Sequence, residues 1–224
     1  MRKIYTLLLT TMLIFGLTNV NAQDKNNQWQ FSFGTNAVDL EVDQATTIPD
    51  FFDVDQNWNV SKSPLSMFSL SKYVGDNVSI GIGASFNNIS NYATGLALEG
   101  TTNDYFTVDA MLKYDLSDLF TIGKLEPFVG IGPGWTWVGD YQDGLTGNMS
   151  AGVNYWFNDV FGLTLMAEAK HNYDNVGGAT QIDEGGTMRY SAMFSVKFGG
   201  TDTDGDGIYD EHDNCPEVPG LEEF

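Results

Sequence analysis

The sequence predicts an all-β fold, an eight-stranded antiparallel up-and-down barrel, and three observations lead to that prediction. Segments of about ten residues alternate between apolar and small or polar side chains, the pattern of a strand with two unlike faces. Eight such segments occur, and an even number suits a closed antiparallel sheet. Aromatic residues make up 13% of the chain and glycines number 25 against 6 prolines, which is typical of β-rich proteins.

The first 22 residues have the features of a secretory signal peptide. Met1-Arg2-Lys3 is basic, residues 4–17 are mostly apolar, and Val20-Asn21-Ala22 places small residues at the expected cleavage site. A spanning helix needs about 20 apolar residues, which this run does not supply. We therefore expect the mature chain to begin at Gln23, and since no later run reaches spanning length, it can enter a membrane only as a closed barrel.

Five strands are clear from their alternation, and three are weaker. The clear strands are expected at 78–86, 106–114, 151–157, 161–169 and 188–198. The weaker segments are 29–35, 63–73 and 125–137. Connections are long at about 38–57, 88–104 and 172–186, moderate at 139–145, intermediate at 115–124 and short at 74–77 and 158–160. Short turns at one end and longer loops at the other are typical of bacterial outer-membrane barrels.

The size of the polar-parity residues predicts which face of the sheet meets lipid. A soluble barrel such as a lipocalin directs its apolar residues inward, and the inward glycines and serines of this chain could not fill such a core. Aromatic residues also gather at both strand ends, as in the interfacial girdles of a membrane barrel. These residues are Tyr73, Tyr114, Phe157, Phe161 and Phe198 at the short turns, and Trp58, Tyr92, Trp135, Trp137 and Tyr190 at the long loops.

The charge of the chain is strongly negative, at -20, which excludes nucleic acid as a partner. Thirteen carboxylates fall in the four predicted outer loops, without any Lys or Arg. They either keep the loops solvated or hold divalent cations that bridge to anionic surface glycolipid. They are Asp39, Glu41, Asp43, Asp50, Asp53, Asp55, Glu99, Asp104, Asp140, Asp143, Asp174, Asp183 and Glu184.

Seven charged residues lie on the parity assigned to the lumen. Because unpaired buried charge is costly, these side chains should pair with one another. Glu168 can reach Arg189 on the next strand, and Lys113 and Glu126 both lie near the short-turn end. A closed interior that stabilises the barrel is expected at this strand number, with a gated ion path as the alternative. The full set is Asp109, Lys113, Glu126, Glu168, Lys170, Arg189 and Lys197.

Catalytic motifs are missing from the sequence, so we predict that the protein is not an enzyme. His171 and His212 lie far apart and have no convincing partner set, and neither G-x-S-x-G nor H-E-x-x-H occurs. Cys215 is the single cysteine, which excludes an internal disulfide and a Cys/His zinc set.

The acidic tail contains a calcium-loop pattern over residues 202–213, D-x-D-x-D-G-x-x-D-x-x-D. Carboxylates at positions one, three and five, glycine at six, a backbone carbonyl at seven and a carboxylate at twelve fit Ca²⁺. Position twelve is Asp213 rather than Glu, and no helical pattern flanks the loop, so a sensor EF-hand is not expected. The predicted ligands are Asp202, Asp204, Asp206, the carbonyl of Ile208, Asp210 and Asp213.

Two resemblances follow from these motifs. The calcium loop with Asp213-Asn214-Cys215-Pro216 resembles a thrombospondin type 3 repeat. In that family repeats occur in series and pair cysteines between them, so the single repeat implies a truncated chain. The whole order resembles the OmpA family of outer-membrane proteins as found in Bacteroidetes-type bacteria, on residues 128–132 and on 190–199, which look like the family's final barrel strand.

The OmpA resemblance implies a division of the chain and a set of partners. Residues 1–22 would be the signal peptide, 23–199 the outer-membrane barrel and 200–224 a periplasmic calcium-binding linker. Partners would be outer-membrane lipid, lipopolysaccharide and the barrel-assembly machinery, which reads the aromatic end of the last strand. Peptidoglycan would be bound only through a domain beyond Phe224.

The function expected from the sequence is that of a non-enzymatic outer-membrane barrel with a linker stiffened by Ca²⁺. Such a protein would contribute to envelope integrity, and an additional role in cell adhesion stays open. The alternatives are a small ion-conducting porin and a calcium-dependent surface adhesion module.

Overall fold

The computed structural model describes most of the predicted barrel and a few residues of the tail. The described residues are 27–40, 58–91, 102–120, 124–139, 142–158, 160–177, 186–200, 203–204, 210 and 214–219. The predicted signal peptide and the expected mature start at Gln23 lie outside them. No helix within these ranges is long and apolar enough to span a membrane.

The described residues form nine strands in one antiparallel sheet. The strands are β1 (Trp29–Leu40), β2 (Trp58–Val60), β3 (Met67–Gly75), β4 (Val78–Ile89), β5 (Asn103–Asp115), β6 (Leu125–Val138), β7 (Gln142–Trp156), β8 (Phe161–Gly177) and β9 (Gly186–Phe198). From β3 to β9 each strand pairs with the next along the chain, and β1 pairs with β9 from Trp29↔Phe198 to Leu40↔Thr187. Since β2 and β3 both pair with β1 and share one position in the wall, the sheet is a closed barrel of eight wall positions. The predicted architecture is confirmed.

The wall position opposite β1 is interrupted at residues 61–66, where a single strand from 63 to 73 was predicted. β2 pairs with β1 as far as Val60, the next six residues leave the ladder, and β3 pairs with β1 from Met67 onward. Pro64 lies in this interruption, and proline cannot donate a hydrogen bond to a ladder. The ends of the excursion are held by backbone bonds from Ser61 N to Asn36 O and from Ser66 N to Gly34 O.

The strands extend further toward the long-loop end than the sequence predicted. Asp39, Asp104, Asp143 and Asp174 belong to strands rather than to loops. Asp39 pairs with Met188 and is only 3% exposed, so it is not a solvated loop carboxylate. Cross-strand pairing of β1 with β9 carries the backbone past the point where the alternation of side chains fades. The remaining carboxylates of that set lie outside the described residues: Glu41, Asp43, Asp50, Asp53, Asp55, Glu99, Asp140, Asp183 and Glu184.

The two faces of the wall are inverted relative to a soluble barrel. Ile82 is 62% exposed and Met149 66% exposed on the outer face, whereas Ser85, Thr107 and Glu168 on the inner face are 0% exposed. The predicted assignment of the apolar parity to the outside is therefore confirmed. A wall with apolar side chains outside and polar ones inside is the pattern of a barrel that lies in lipid.

The short turn between β3 and β4 shows how the chain reverses at one end. Asp76 and Asn77 both adopt positive φ, at 49° and 62°, as a two-residue hairpin turn of the primed type requires. Asp and Asn tolerate this conformation better than other non-glycine residues. The turn joins Gly75 to Val78 and confirms the predicted short connection at 74–77.

Candidate functional site in the barrel lumen

Four charged side chains meet inside the barrel and form a closed ring of ion pairs, here called the ion-pair ring. Nζ of Lys170 lies 2.9 Å from Oε1 of Glu168, and Nη2 of Arg189 lies 2.7 Å from the same oxygen. Nη2 of Arg189 also lies 2.9 Å from Oδ2 of Asp109, whose Oδ1 contacts Lys170. Each charge thus contacts two charges of opposite sign.

The strand register explains why these residues meet. Glu168 and Arg189 are direct partners in the β8–β9 ladder, and Lys170 lies two residues along β8 on the same face. Asp109 comes from β5, on the far side of the lumen, so its contacts with Arg189 and Lys170 cross the barrel. The pairing of Glu168 with Arg189 was predicted and is confirmed, whereas the pairing across the lumen was not foreseen.

Burial makes the ring energetically important. The four side chains are between 0% and 3% exposed. Removing charges of this size from water is costly, and mutual attraction offsets that cost only where the geometry is good and further hydrogen bonds are made. The ring has two positive and two negative members and is formally neutral, so an isolated loss of one member would leave an uncompensated buried charge.

Neutral polar groups add hydrogen bonds around the ring, and among the described residues only Oε2 of Glu168 and Nε of Arg189 in the ring are buried without a hydrogen-bond partner. Nη1 of Arg189 donates to Oγ of Ser85 at 2.8 Å and to Oγ1 of Thr107 at 2.7 Å. Nδ2 of Asn148 donates to Oδ1 of Asp109 at 2.8 Å. These bonds connect β4 and β7 to the ring, whose own members come from β5, β8 and β9.

Gly134 of β6 has no side chain, and the space beside it is occupied by the side chains of Asp109 and Asn148. A Cβ atom at this position would overlap Oδ1 of Asp109 and lie 2.5 Å from Nδ2 of Asn148. The bond between these two side chains therefore depends on the missing side chain at Gly134. Glycines on the inward face were predicted from the sequence, and this close approach gives one of them a specific structural role.

An apolar cluster lies beyond the ring toward the long-loop end, and we call it the apolar cap. Its members alternate with Asp39, Asn88 and Asp104, and the strand register places Val38 directly beside Arg189 of the ring. The members are Val38, Leu40, Ile89, Tyr105 and Val138, each 0% or 1% exposed. The sequence predicted loops or strand ends at these positions, and the apolar cap was not foreseen, because the strands continue there and their inward positions become apolar.

The short-turn end of the lumen pairs its charges differently from the prediction. Lys113 lies over the ring of Phe128, 5.2 Å from its centroid, rather than in an ion pair with Glu126. Nε1 of Trp156 donates to Oε2 of Glu126, and Nζ of Lys197 lies 4.0 Å from the Trp156 ring centroid. The buried indole thus lies between Glu126 and Lys197, while Lys113, which was expected near Glu126, contacts Phe128.

The predicted calcium ligands fall mainly on residues that the structure does not describe. Asp202, Asp206, Ile208 and Asp213 lie outside the described residues, and Asp204 and Asp210 lie within them. The backbone N and Oγ1 of Thr203 donate to the two carboxylate oxygens of Asp210, at 2.7 and 2.6 Å. Within the described part of the chain, no three His, Cys, Asp or Glu residues converge on a metal-sized site. The calcium loop stays a prediction.

Comparison with known proteins shows the fold but not a family. No family model matches the chain, and no curated protein matches it. Among solved structures, the outer membrane protein OprG from Pseudomonas aeruginosa is 14% identical with a TM-score of 0.51, covering 80% of this chain and 100% of that chain. Neisserial surface protein A is 14% identical with a TM-score of 0.49, covering 76% and 96%. Escherichia coli outer membrane protein W is 17% identical with a TM-score of 0.43, covering 77% and 98%.

The match to OprG gives an independent view of the fold. It extends over the whole of that protein and over 80% of this chain. This chain has the fold of a small eight-stranded outer-membrane β-barrel. The resemblances to the OmpA family and to the thrombospondin type 3 repeat stay predictions from the sequence.

Proposed function

We propose that this protein is a non-enzymatic outer-membrane barrel whose filled lumen makes it a structural component of the envelope. The observation that carries the proposal is the ion-pair ring, a neutral and buried set of contacts that joins opposite walls of the barrel. The apolar cap adds a second layer without polar side chains except the Tyr105 hydroxyl. Such an interior stabilises a barrel and resists the passage of ions.

Membrane location is supported by the outer face and its two aromatic ends. At the long-loop end the rings of Trp58 and Tyr190 stack with centroids 4.2 Å apart. At the other end Trp29 stacks on Phe198 at 6.5 Å, with Nζ of Lys72 lying 5.4 Å from the Trp29 ring centroid. Aromatic rings and a long cationic side chain at the edges of an apolar belt are suited to the headgroup level of a bilayer.

The tail is proposed to bind Ca²⁺ through hard oxygen ligands. Asp204 and Asp210 would supply two carboxylates, and the two bonds from Thr203 to Asp210 fold the ends of this segment toward each other. Bound Ca²⁺ would neutralise the aspartates and order the linker. On this proposal the linker lies in the periplasm. The acidic outer loops contact lipopolysaccharide through divalent cations, and cell adhesion is an additional role.

The membrane part of the proposal is tested by refolding residues 23–224 into detergent micelles. Unheated and boiled samples are compared on a gel, with and without Ca²⁺. A compact band that shifts on boiling is expected, because closed barrels resist unfolding until heated. A folded monomer that stays soluble in plain buffer and shows no shift would overturn the proposal and favour a calcium-dependent adhesion module.

A further inference from the structure

The interruption of the wall at residues 61–66 places irregular backbone at the depth of the lipid. β2 reaches Val60 opposite Ala37, and β3 begins at Met67 opposite Gly34, so the segment between them lies at mid-height on the wall. β1 continues beyond this level in both directions. Irregular backbone in contact with hydrocarbon is avoided in membrane proteins, because its polar groups need partners. The segment therefore depends on hydrogen bonds other than those of the ladder.

Side chains supply hydrogen bonds that the ladder does not make here. Nδ2 of Asn36 donates to the carbonyl oxygen and to Oγ of Ser66, at 2.8 and 2.9 Å. Oγ1 of Thr35 donates to the carbonyl oxygen of Ser63 at 3.2 Å. Oγ of Ser63 in turn donates to the carbonyl oxygen of Leu65 at 3.1 Å. The segment is thus held against β1 and has a defined position on the wall.

This arrangement presents one cation, Lys62, on the outside of the barrel. Its two neighbours, Ser61 and Ser63, are both hydrogen-bonded to β1, so Lys62 is held beside that strand. Its side chain is exposed and forms no ion pair with any residue that the structure describes. A charge at the depth of the lipid is costly and typically has a function. A flexible lysine side chain can also carry its ammonium group toward the headgroups.

An apolar groove, here called the wall groove, lies next to this lysine on the outer face. Its volume is about 460 Å³, within the range of about 300–1,000 Å³ that is typical of small-molecule sites. Small side chains form its floor, where Ala192 of β9 lies between Thr35 of β1 and Leu165 of β8 in the register. The stacked rings of Trp58 and Tyr190 border it toward the long loops.

The groove and the lysine belong to one site. Thr35 lines the groove and also holds the segment that carries Lys62. The site therefore offers apolar contact along the wall and a positive charge at its side. An acyl chain attached to a phosphorylated headgroup has the complementary pattern, since phosphate and ammonium groups form charge-assisted hydrogen bonds. The site lies in the half of the wall nearer the long loops, which faces the outer leaflet if the proposed function is correct.

We propose that the wall groove binds an acyl chain of the phosphorylated glycolipid of the outer leaflet, with a phosphate of that lipid on Lys62. The inference rests on the membrane location proposed above and goes beyond it, because it assigns a lipid-binding site to the wall rather than to the loops. The chain contains matched controls. Lys72 is a cation at the opposite end of the wall, beside Trp29, and Ala110 lines a separate groove on the outer face.

The experiment is an NMR titration of the refolded protein in phosphatidylcholine nanodiscs, with ¹³C at the alanine methyl groups. Diphosphoryl lipid A is the probe and is added as an increasing fraction of the lipid. The methyl signals of Ala37, Ala167 and Ala192, which line the groove, should shift saturably. The signal of Ala110 should stay unchanged, because that residue lies outside the groove.

Four variants separate the role of the charge from that of the groove. K62Q should weaken binding by about tenfold or more, whereas K62R and the matched change K72Q should retain it. A192L fills the floor of the groove and should also weaken binding. A110L makes the same change elsewhere on the outer face and should not.

Several results would overturn the proposal. Equal affinity for phosphatidylglycerol would show a site for any anionic lipid, and unchanged affinity in K62Q would show apolar packing without recognition of phosphate. Shifts that appear without lipid A and grow with protein concentration would show that a second copy fills the groove. The heat-shift assay accompanies every variant. A barrel that does not form contradicts the proposed function, whereas a folded barrel without saturable shifts contradicts the lipid site alone.

Discussion

Arg189 donates from Nη2 to Oε1 of Glu168 over 2.7 Å, joining two neighbouring strands on the inside of the wall. The same nitrogen lies 2.9 Å from a carboxylate of β5, so one guanidinium connects a local cross-strand pair to the opposite side of the barrel. Arginine suits this position because its planar group presents several donors in fixed directions. A lysine could not reproduce the bonds from Nη1 to β4 and β5.

Substituting this arginine by methionine is expected to destabilise the barrel by about 3–5 kcal/mol, because Glu168 and Asp109 would remain buried with one cation between them. The free energy of unfolding is measured by urea titration in lipid vesicles, followed by tryptophan fluorescence. K72M removes a cation from the outer face and should have little effect. Equal, small losses in R189M and K72M would show that the ring contributes nothing specific.

The double variant E168Q/R189M should lose less stability than the sum of the two single variants. Each single change leaves an uncompensated charge, whereas the double change removes one of each sign and leaves Asp109 with Lys170. Contacting residues in one network typically show a coupling energy of about 0.5–3 kcal/mol. A double-mutant cycle measures this coupling, and strictly additive losses would contradict the closed ring.

The change G134A should destabilise the barrel, since the new Cβ atom would displace the Asp109 carboxylate from Asn148. Overpacking of this kind typically costs about 1–3 kcal/mol. G83A is the matched control, because a Cβ at Gly83 would lie 3.4 Å from the nearest atom, an oxygen of Phe68. Urea unfolding compares the two, and a G134A barrel as stable as G83A would show that the site relaxes freely.

Arginine on the outer face should cost more near the middle of the wall than at its edge. The variant I131R places the arginine in the middle of β6, where Ile131 is 57% exposed. The variant V74R places it beside the β3–β4 turn, where Val74 is 53% exposed. In a lipid-embedded barrel the expected losses are about 2–4 kcal/mol for the first and about 0–1 kcal/mol for the second. Equal unfolding free energies in vesicles would argue against an apolar belt in lipid.

The predicted calcium loop should bind Ca²⁺ more weakly in D210N, since that change removes a carboxylate charge and alters the bonds that Asp210 accepts from Thr203. Calorimetric titration of the refolded chain gives the affinity. D115N changes a carboxylate at the end of β5 in the barrel and serves as control. Weaker binding in D210N alone is expected, and a wild-type chain without measurable Ca²⁺ binding would rule out the site.

Much of the wall was predictable because the alternation of apolar and polar side chains within each strand shows which residues lie on which face. The alternation through 78–86 and 161–169 assigned both the strands and the side that meets lipid, and the same parity placed Glu168 beside Arg189. Such information is local or depends only on adjacent strands.

Features that depend on distant parts of the chain were missed. The contacts of Asp109 with Arg189 and Lys170 cross the lumen, and no spacing in the sequence indicates which residues face each other there. The apolar cap was missed because Val38 and Leu40 lie where alternation with Asp39 gives way to acidic residues, which suggested a loop. The interruption of the strand could have been predicted from Pro64. Its length could not, because that depends on how β2 and β3 each pair with β1.

The closed lumen is tested most directly by ion flux across vesicles that contain the refolded protein, with insertion verified by the heat-shifted band. We expect no flux above that of empty vesicles for the unmodified protein at neutral pH, since the ion-pair ring and the apolar cap fill the lumen. Steady single-channel conductance in planar bilayers, together with rapid flux from the vesicles, would contradict it and identify the protein as an ion-conducting porin.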